Sequence, residues 1–258
     1  MYAYFMTLSE FDLWCRSFLQ IDELRSIDDS LNGIQVGRSL KPLTKIAFAV
    51  DACAASIDRA AVAGADLLFV HHGMFWGPAS RIEGPMLERI RGLLLADMGL
   101  YACHLPLDMH PELGNNAQLA NLLQLEERKP FGLYHGVSIG VSGRLKHPRS
   151  ADELIAAILS DNSSARTLIP AGPKIISTVA IVSGGAPFEA LQALGKGIDA
   201  FITGEPSHSV YHQIVEGGLT FIAAGHYATE TWGLKAVEAK VKAETNLQTL
   251  FIDLPTGL

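Results

Sequence analysis

The sequence is poor in cysteine, in positive charge and in long apolar runs, and each shortage argues against a class of protein. Its three cysteines form no Cys-X-X-Cys pair, which favours a reducing cytoplasm over a disulfide-linked framework. The formal net charge of −7 gives no general basis for nucleic-acid binding, although a basic patch formed on assembly would escape this argument. No apolar run approaches a membrane span, and the N-terminus lacks the pattern of a signal peptide.

The remaining composition is that of a folded chain with a large core. Hydrophobic residues make up 48% and charged residues 18% of 258 residues, enough for one large domain or two smaller ones. Short apolar runs alternate with helical patterns along the whole length. The predicted strands include KIAFAV, DLLFV and LYACHL in the first half, and STVAIVSGG, DAFITGE and LTFIAAGH in the second. This alternation predicts βαβ units and a mainly parallel sheet.

Two halves of the sequence resemble each other. The segment IAFAV … GADLLFVHHG matches VAIVSGG … GIDAFITGE in its order of strand, helix, glycine and second strand. Between the halves lies EERKPFGLYHG, which is charged and then interrupted by proline and glycine. We therefore expect an α/β fold of two similar domains, residues 1–128 and 129–258, each with a mainly parallel mixed sheet flanked by helices.

Residues able to carry chemistry gather where these predicted strands end. Ligands of open α/β sheets bind beyond the carboxyl ends of the strands. The candidates there are His71, His72, His104 and Asp108 in the first half, and Glu205, His226 and Glu230 in the second. Neighbouring side chains on a strand point to opposite faces, so the adjacent histidines share one site only if the backbone leaves strand geometry at Gly73.

Spacing adds to this pattern. His104 and Asp108 are four residues apart, as are His226 and Glu230, and residues at that spacing share one face of a helix. Pro106 argues against a regular helix over 104–108, whereas GHYATE allows a helix to begin near residue 228. Mixed imidazole and carboxylate ligands suit Zn, Fe, Mn or Ni, and this set is large enough for two divalent ions.

Each segment also has a plainer interpretation when it is taken alone. A histidine at a strand end is more often structural, HLPLD is compatible with a turn capped by its aspartate, and GHYATE with an ordinary helix start. The glycines of VSGGAPFE predict a tight turn, with an anion cradle as the alternative. Because the polar segments fall at equivalent strand ends, their combination favours a shared metal site.

The chain resembles a known family through five segments: SLNGIQVG, HHGMFWGP, HLPLDMHPELGNNAQLA, TGEPSH and GHYATETWGLKAV. They are similar to motifs of the dinuclear-metal-centre hexameric proteins, whose members carry the name GTP cyclohydrolase 1 type 2 homolog. The resemblance implies a two-domain subunit in a ring-shaped homohexamer, with two divalent ions between the domains. The ligands it implies are His71, His72, Asp108, His226 and Glu230. His104 is then either a further ligand or a residue that orients one.

Two functions remain open at this point. The first is a metal-dependent hydrolase acting on a nucleotide or another phosphorylated or cyclic amide-containing metabolite, with Glu205 or His104 as the catalytic candidate for proton transfer. The second is a non-catalytic metal-binding scaffold or regulator that binds another protein or a nucleic acid. The resemblance fixes neither the metal nor the substrate, and so does not decide whether the chain is an enzyme.

Overall fold

The computed structural model describes residues 6–159 and 165–258. In chain order the elements are α1 (Leu8–Arg16), β1 (Gly33–Val36), β2 (Lys45–Asp51), α2 (Ala54–Val62), β3 (Leu67–His72), α3 (Gly84–Leu95), β4 (Gly99–Ala102), α4 (Leu105–Asp108), α5 (Asn115–Leu122), β5 (Leu125–Tyr134), β6 (Val137–Arg149), α6 (Ala151–Ile158), β7 (Thr167–Pro170), β8 (Ile176–Ile181), a 3₁₀ helix (Phe188–Ala193), β9 (Ala200–Thr203), a second 3₁₀ helix (His208–Val210), α7 (Tyr211–Glu216), β10 (Thr220–Ala223), α8 (His226–Glu244) and β11 (Gln248–Phe251). Among these helices, none is both long and apolar enough to cross a membrane.

The chain divides into two compact units. The first consists of Met1–Leu107 with Leu234–Leu254, and the second of Asp108–Gly233 with Pro255–Leu258. Strands β1 to β4 and β11 form the five-stranded sheet of the first unit, whereas β5 to β10 form the six-stranded sheet of the second. The mixed α/β fold with two helix-flanked sheets is therefore confirmed.

The first sheet has the order β1-β4-β3-β2-β11, and only β1 runs antiparallel to its neighbour. Its strands are apolar on both faces: Leu67–Val70 and Ile46–Val50 are almost wholly buried. In this register Asp51 pairs with His72 at the carboxyl ends of β2 and β3. The strand pattern thus brings polar side chains to one edge of a buried sheet, as expected for the C-terminal edge of a parallel sheet.

A single helical turn, α4, forms over Leu105–Asp108. The expectation that Pro106 makes a regular helix unlikely over 104–108 was wrong for 105–108, where this one turn forms. Pro106 is the second residue of the turn, where a backbone N–H has no intrahelical partner in any case, so proline causes no loss. The turn ends at Asp108, one of the candidate ligands.

The second sheet has the order β5-β6-β8-β9-β10-β7. Strands β8, β9 and β10 are parallel, while β5, β6 and β7 join the sheet through antiparallel pairs. Apolar residues of α5 and α6, such as Leu119 and Leu154, pack in one core with Ile181, Ile202 and Ile222 of the central strands. Only the centre of this sheet is thus parallel.

The predicted domain boundary at residue 128 falls inside β5 of the second unit. The charged and Pro-containing stretch forms a strand there because β5 lies at the edge of its sheet. An edge strand exposes one row of backbone groups, so it tolerates a proline and a run of charged side chains. The structural division comes instead at Leu107, and the first unit also takes up the later segment Leu234–Leu254.

Asp66 connects the beginning of β2 to that of β3. Its Oδ2 atom accepts hydrogen bonds from the Thr44 N–H (2.7 Å), the Thr44 hydroxyl (2.7 Å) and the Lys45 N–H (3.0 Å), and Oδ1 lies 2.9 Å from an Nη atom of Arg38. Burial raises the pKa of this carboxyl, but the donors of Thr44 and Lys45 and the charge of Arg38 outweigh burial and lower the pKa below its usual 3.8.

Asp66→Asn is expected to lower the free energy of unfolding at pH 7 by about 1–2 kcal/mol, because an amide nitrogen replaces an acceptor among several donors. The higher free energy of unfolding of the wild type is present above pH 3.8. It is lost as the pH falls through the folded-state pKa of Asp66, which lies below 3.8. Urea unfolding at pH 7 and in acid measures this, with the exposed Asp58→Asn as the matched control. A difference between wild type and Asp66→Asn that stays constant down to acid pH would contradict it.

Candidate metal centre

Three histidines of the first unit come together at the carboxyl ends of β3 and β4. His71 and His72 end β3, and His104 follows β4. Their ring centroids are 4.7 Å (71–72), 5.1 Å (71–104) and 5.7 Å (72–104) apart. One ligating nitrogen of each lies within 4.8 Å of the others. We call these three residues the imidazole cluster.

A turn held by Gln35 directly follows the two adjacent histidines. Strand β3 ends at His72, directly before Gly73, where the sequence predicted the departure from strand geometry. The side-chain oxygen of Gln35 accepts the backbone N–H groups of Met74 (2.7 Å) and Phe75 (3.3 Å). A Cβ atom at residue 73 would overlap the Gln35 amide, so the close approach requires glycine.

Every ring of the imidazole cluster is oriented through Nδ1. The Nδ1 atom of His71 lies 2.9 Å from the carbonyl oxygen of Cys103, that of His72 2.9 Å from Asp51 Oδ1, and that of His104 2.9 Å from Asp28 Oδ1. All three partners accept hydrogen bonds, so in the neutral rings the proton is on Nδ1 and Nε2 carries the lone pair. Metal-binding histidines are typically fixed in this way.

Asp28 holds one side of the imidazole cluster in place. Its carboxylate accepts hydrogen bonds from the Asn32 side chain (2.8 Å), Ser30 N (3.0 Å) and Leu105 N (3.1 Å), in addition to His104. Burial raises the pKa of Asp28. The hydrogen bond and charge of His104, together with the other donors, outweigh burial and lower the pKa below its usual value. Asp28 is therefore an ionised carboxylate at neutral pH, and it orients His104.

Trp76 packs against the same imidazoles. Its indole N–H donates to the Gly73 carbonyl (2.8 Å), and its ring lies edge-on to His104 with centroids 4.9 Å apart. The side chain is 39% exposed. Trp76 thus forms an apolar wall beside the imidazole cluster and also supports the glycine turn.

The second unit contributes a cluster of carboxylates around one histidine. His226 and Glu230 lie one turn apart at the beginning of α8, with His226 Nε2 3.1 Å from Glu230 Oε2. A carboxylate oxygen of Asp108 lies within 4.8 Å of one of Glu230, and both residues are buried. We call Asp108, His226 and Glu230 the acidic cluster. Helix α8 begins at His226 itself, two residues earlier than the predicted start.

Asparagine and serine side chains fix the carboxylate of Asp108. Its Oδ1 atom accepts hydrogen bonds from Asn115 Nδ2 (2.8 Å) and from the Ser183 hydroxyl (2.9 Å). The Asn116 side chain links the backbone around it: Nδ2 donates to the Asp108 carbonyl (3.2 Å) and Oδ1 accepts from Ser183 N (2.8 Å). These two donors hold the carboxylate through Oδ1, and Oδ2 is the oxygen that we assign to a metal ion.

Two carboxylates set the protonation of His226. Its Nδ1 atom lies 2.6 Å from Glu205 Oε1, on the side opposite Glu230. Burial lowers the pKa of His226, but the hydrogen bonds and charges of Glu230 and then Glu205 outweigh burial and raise the pKa to about 9. The imidazole is thus protonated at pH 7 in this arrangement, and metal binding at Nε2 would displace a proton.

The donors of both clusters fit a divalent metal ion of the Zn, Fe, Mn or Ni class. These metals take imidazole nitrogen together with carboxylate oxygen, whereas Ca²⁺ and Mg²⁺ prefer all-oxygen sites. The rings are held by hydrogen-bond acceptors at Nδ1, and the carboxylates are buried and hydrogen-bonded. Side chains arranged in this way fit the donor set of such a metal ion.

Comparison with known proteins identifies the family. The model of the family Duf34/NIF3 (NGG1p interacting factor 3) matches residues 6–256. The chain belongs to the Duf34/NIF3 family. A relative from Treponema pallidum (strain Nichols), named GTP cyclohydrolase 1 type 2 homolog, is 40% identical over 98% of this chain and 100% of its own. A relative of the same name from Halobacterium salinarum is 44% identical over 90% of this chain and 92% of its own.

Solved structures of similar proteins share the Duf34/NIF3 fold. The protein ybgI, described as of unknown function, has a TM-score of 0.89 and 36% identity, covering 98% of this chain and 100% of its own. TTHA1606 from Thermus thermophilus has a TM-score of 0.87 and 35% identity, with the same coverage. The resemblance predicted from the five sequence segments is confirmed by the family and by the relatives' shared name.

In this Duf34/NIF3 chain the site residues predicted from the sequence form one group in each unit. The first unit holds His71, His72 and His104, and the second holds Asp108, His226 and Glu230, with Glu205 beside His226. Sequence reasoning missed the residues that orient them: Asp28, Asn32, Gln35, Asp51, Asn115, Asn116 and Ser183. Of these, Asp51 carried a usable signal because it ends strand β2 directly after an apolar run. Gln35 lies in the short edge strand β1, and the others lie in loops or at a helix start, where no spacing marks them.

Proposed function

We propose that this protein is a metal-dependent hydrolase that holds two divalent ions per subunit and acts on a nucleotide or a related small metabolite. The ligands are His71, His72, Asp108, His226 and Glu230, with His104 as a further ligand. The observation that carries the proposal is the common orientation of the histidines. All four have Nδ1 against a hydrogen-bond acceptor, the arrangement in which metal-binding histidines use Nε2 as the ligand atom.

When bound, a pair of such ions supplies a water nucleophile at neutral pH and stabilises the charge that develops during hydrolysis. The protein's own residues fix the ligands and move protons. Glu205 holds the proton at His226 Nδ1 and is 46% exposed, so it can exchange protons with water. If His104 is not itself a ligand, its pairing with Asp28 makes it the second candidate for proton transfer. The relatives' shared name, GTP cyclohydrolase 1 type 2 homolog, supports a nucleotide-like substrate.

The proposal includes assembly into a homohexamer. Three large apolar side chains on α2 and α3 are strongly exposed, namely Val62 (90%), Leu94 (62%) and Leu95 (83%). Exposed apolar side chains of this size on neighbouring helices are typical of surfaces that become buried on assembly. Light scattering on the purified protein measures the number of subunits directly.

Elemental analysis of wild type and His226→Ala tests the metal centre. We expect about two ions per subunit in the wild type and clearly fewer in the variant, because His226 is a ligand. The same samples, stripped and reloaded with the metal found, are screened for hydrolysis of nucleotides and of phosphorylated or cyclic amide-containing metabolites. Fewer than about one ion in wild type, unchanged in the variant, rejects the centre. Two ions without turnover of any substrate support a non-catalytic metal-binding scaffold instead.

A further inference from the structure

A cavity of about 280 Å³ in the second unit opens beside Asp108. Its wall includes His110, Asn116, Arg128 and Lys129. Among the described residues that line it, Asp108 is the one carboxylate, while three side chains carry N–H donors with positive or ionisable character. The charged side chains of this wall are thus mainly positive, whereas the whole chain has a net charge of −7.

An irregularity in β5 brings both cations into this wall. In a regular strand, consecutive side chains alternate between faces. Here the pairing of β5 with β6 shifts register between Glu126 and Lys129, and Glu127 has φ 51°, in the left-handed region. Bulges of this kind redirect side chains and recur next to functional sites. As a result Arg128 and Lys129, although adjacent, line the same cavity.

The sequence of β6 is adapted to this bulge. A Cβ atom at Gly143 would lie 2.7 Å from the Glu126 carbonyl oxygen and 3.7 Å from the Arg128 Cα. Glycine therefore permits the close approach of the bulged backbone. A left-handed conformation is unfavourable at a residue other than glycine, so the fold retains a strained feature next to the cavity wall.

Two side chains of the wall, Arg128 and His110, are held in place by the backbone. Arg128 Nε donates to the Leu125 carbonyl oxygen (2.9 Å), which fixes the guanidinium while using one of its five N–H groups. His110 Nδ1 accepts the N–H groups of Glu112 (3.1 Å) and Leu113 (3.0 Å), so the proton of the neutral ring is on Nε2. Guanidinium and ammonium N–H groups in one wall are donors that bind phosphate.

We propose that this cavity binds a phosphate group of the substrate, through Arg128 and Lys129, next to Asp108. The inference rests on the proposed function, in which Asp108 is a metal ligand, and it narrows the substrate class to phosphorylated metabolites. The volume suits a phosphate with a small part of the substrate. A second cavity, of about 650 Å³, shares Lys129, Pro130 and Ser138 with the first and has room for the remainder of a nucleotide.

Calorimetric titration of the metal-loaded protein with inorganic phosphate, at constant ionic strength, tests this inference. We expect one saturable site per chain. Arg128→Gln and Lys129→Gln each remove one charged donor and are expected to weaken phosphate binding about tenfold or more. Lys146→Gln is the matched control, because Lys146 is an exposed cation of β6 outside the lining of both cavities. It is expected to change the affinity less than about twofold.

The metal content of each variant separates this inference from the proposed function. Unchanged metal with weakened phosphate binding in Arg128→Gln and Lys129→Gln supports the subsite. If the chain holds no metal, the same titration on metal-free protein still decides, because dependence on Arg128 and Lys129 supports the subsite while the metal centre fails. The inference is overturned if metal-loaded wild type shows no saturable binding. Binding lost in Arg144→Gln but kept in Arg128→Gln also overturns it, since Arg144 lines only the larger cavity.

Discussion

Asp108→Asn is expected to fold as the wild type does, to fall from about two ions per subunit to one or fewer, and to lose hydrolysis by more than about 100-fold. The substitution keeps an acceptor oxygen for the two donors that meet Oδ1, Asn115 Nδ2 and the Ser183 hydroxyl. It replaces Oδ2, the oxygen assigned to the metal, with an amide NH₂ that cannot bind a cation. The substitution thus removes the oxygen assigned to the metal and keeps the oxygen that accepts the structural hydrogen bonds.

Elemental analysis and thermal unfolding together check this result. The melting temperatures are compared in chelator, since bound metal itself stabilises the folded state. We expect Asp108→Asn to melt within a few degrees of wild type, because about 1 kcal/mol shifts a chain of this size by only a few degrees. Asp152→Asn, the same change at an exposed position of α6, is the control and should keep its metal. A fully loaded Asp108→Asn would remove Asp108 from the ligand set.

The strands at the centre of each sheet, which the sequence located, share one physical property: they are mostly buried. A run such as Leu67–Val70 is apolar at every position because a strand inside a parallel sheet is covered on both faces. The sequence repeat has its counterpart in three consecutive parallel strands within each sheet, β2-β3-β4 in the first and β8-β9-β10 in the second. Burial therefore explains why these elements, and with them the fold class, were predictable.

The strands that the sequence did not reveal, β1, β5 and β7, all lie at sheet edges and pair antiparallel. Edge strands are often short or polar, since one side of the backbone faces solvent. Strands β1 and β7 have four residues each, and β5 exposes the charged run 126–129. The pattern of β5 resembled a linker for this reason, and the expected boundary at residue 128 followed from it.

The candidate ligands were predictable because carboxyl ends of parallel strands meet at one edge, whatever the details of the loops. The side chains that orient these ligands were harder to predict from the sequence. Asp28 reaches His104 across 76 positions of sequence, and Asn115 reaches Asp108 from the start of α5. Contacts of this kind depend on how turns fold in three dimensions, which residue spacing does not encode.

Gly184→Ala is expected to destroy the acidic cluster while leaving the rest of the second unit folded. Gly184 follows β8 with φ 68°, and a Cβ atom there would overlap Oε1 of Glu230 and lie 3.3 Å from Nε2 of His226. The backbone cannot yield easily, because Gly184 N donates to the Thr229 hydroxyl and Gly184 O accepts from the Thr203 hydroxyl, both at 3.0 Å. Glu230 must therefore move, and we expect metal content and hydrolysis to fall as severely as in Asp108→Asn.

Gly195→Ala supplies a matched control in the same unit. Gly195 has φ 70°, so alanine there meets the same backbone strain of about 1–2 kcal/mol, but no atom lies within 4 Å of its Cβ position. Both variants should lose that much stability in urea unfolding, and only Gly184→Ala should also lose metal and activity. The steric contact with Glu230 accounts for the difference, because the conformational cost is common to both. Equal metal content in the two variants would show that metal binding does not require the carboxylate of Glu230 at its present position. Glu230 would then be removed from the proposed ligands.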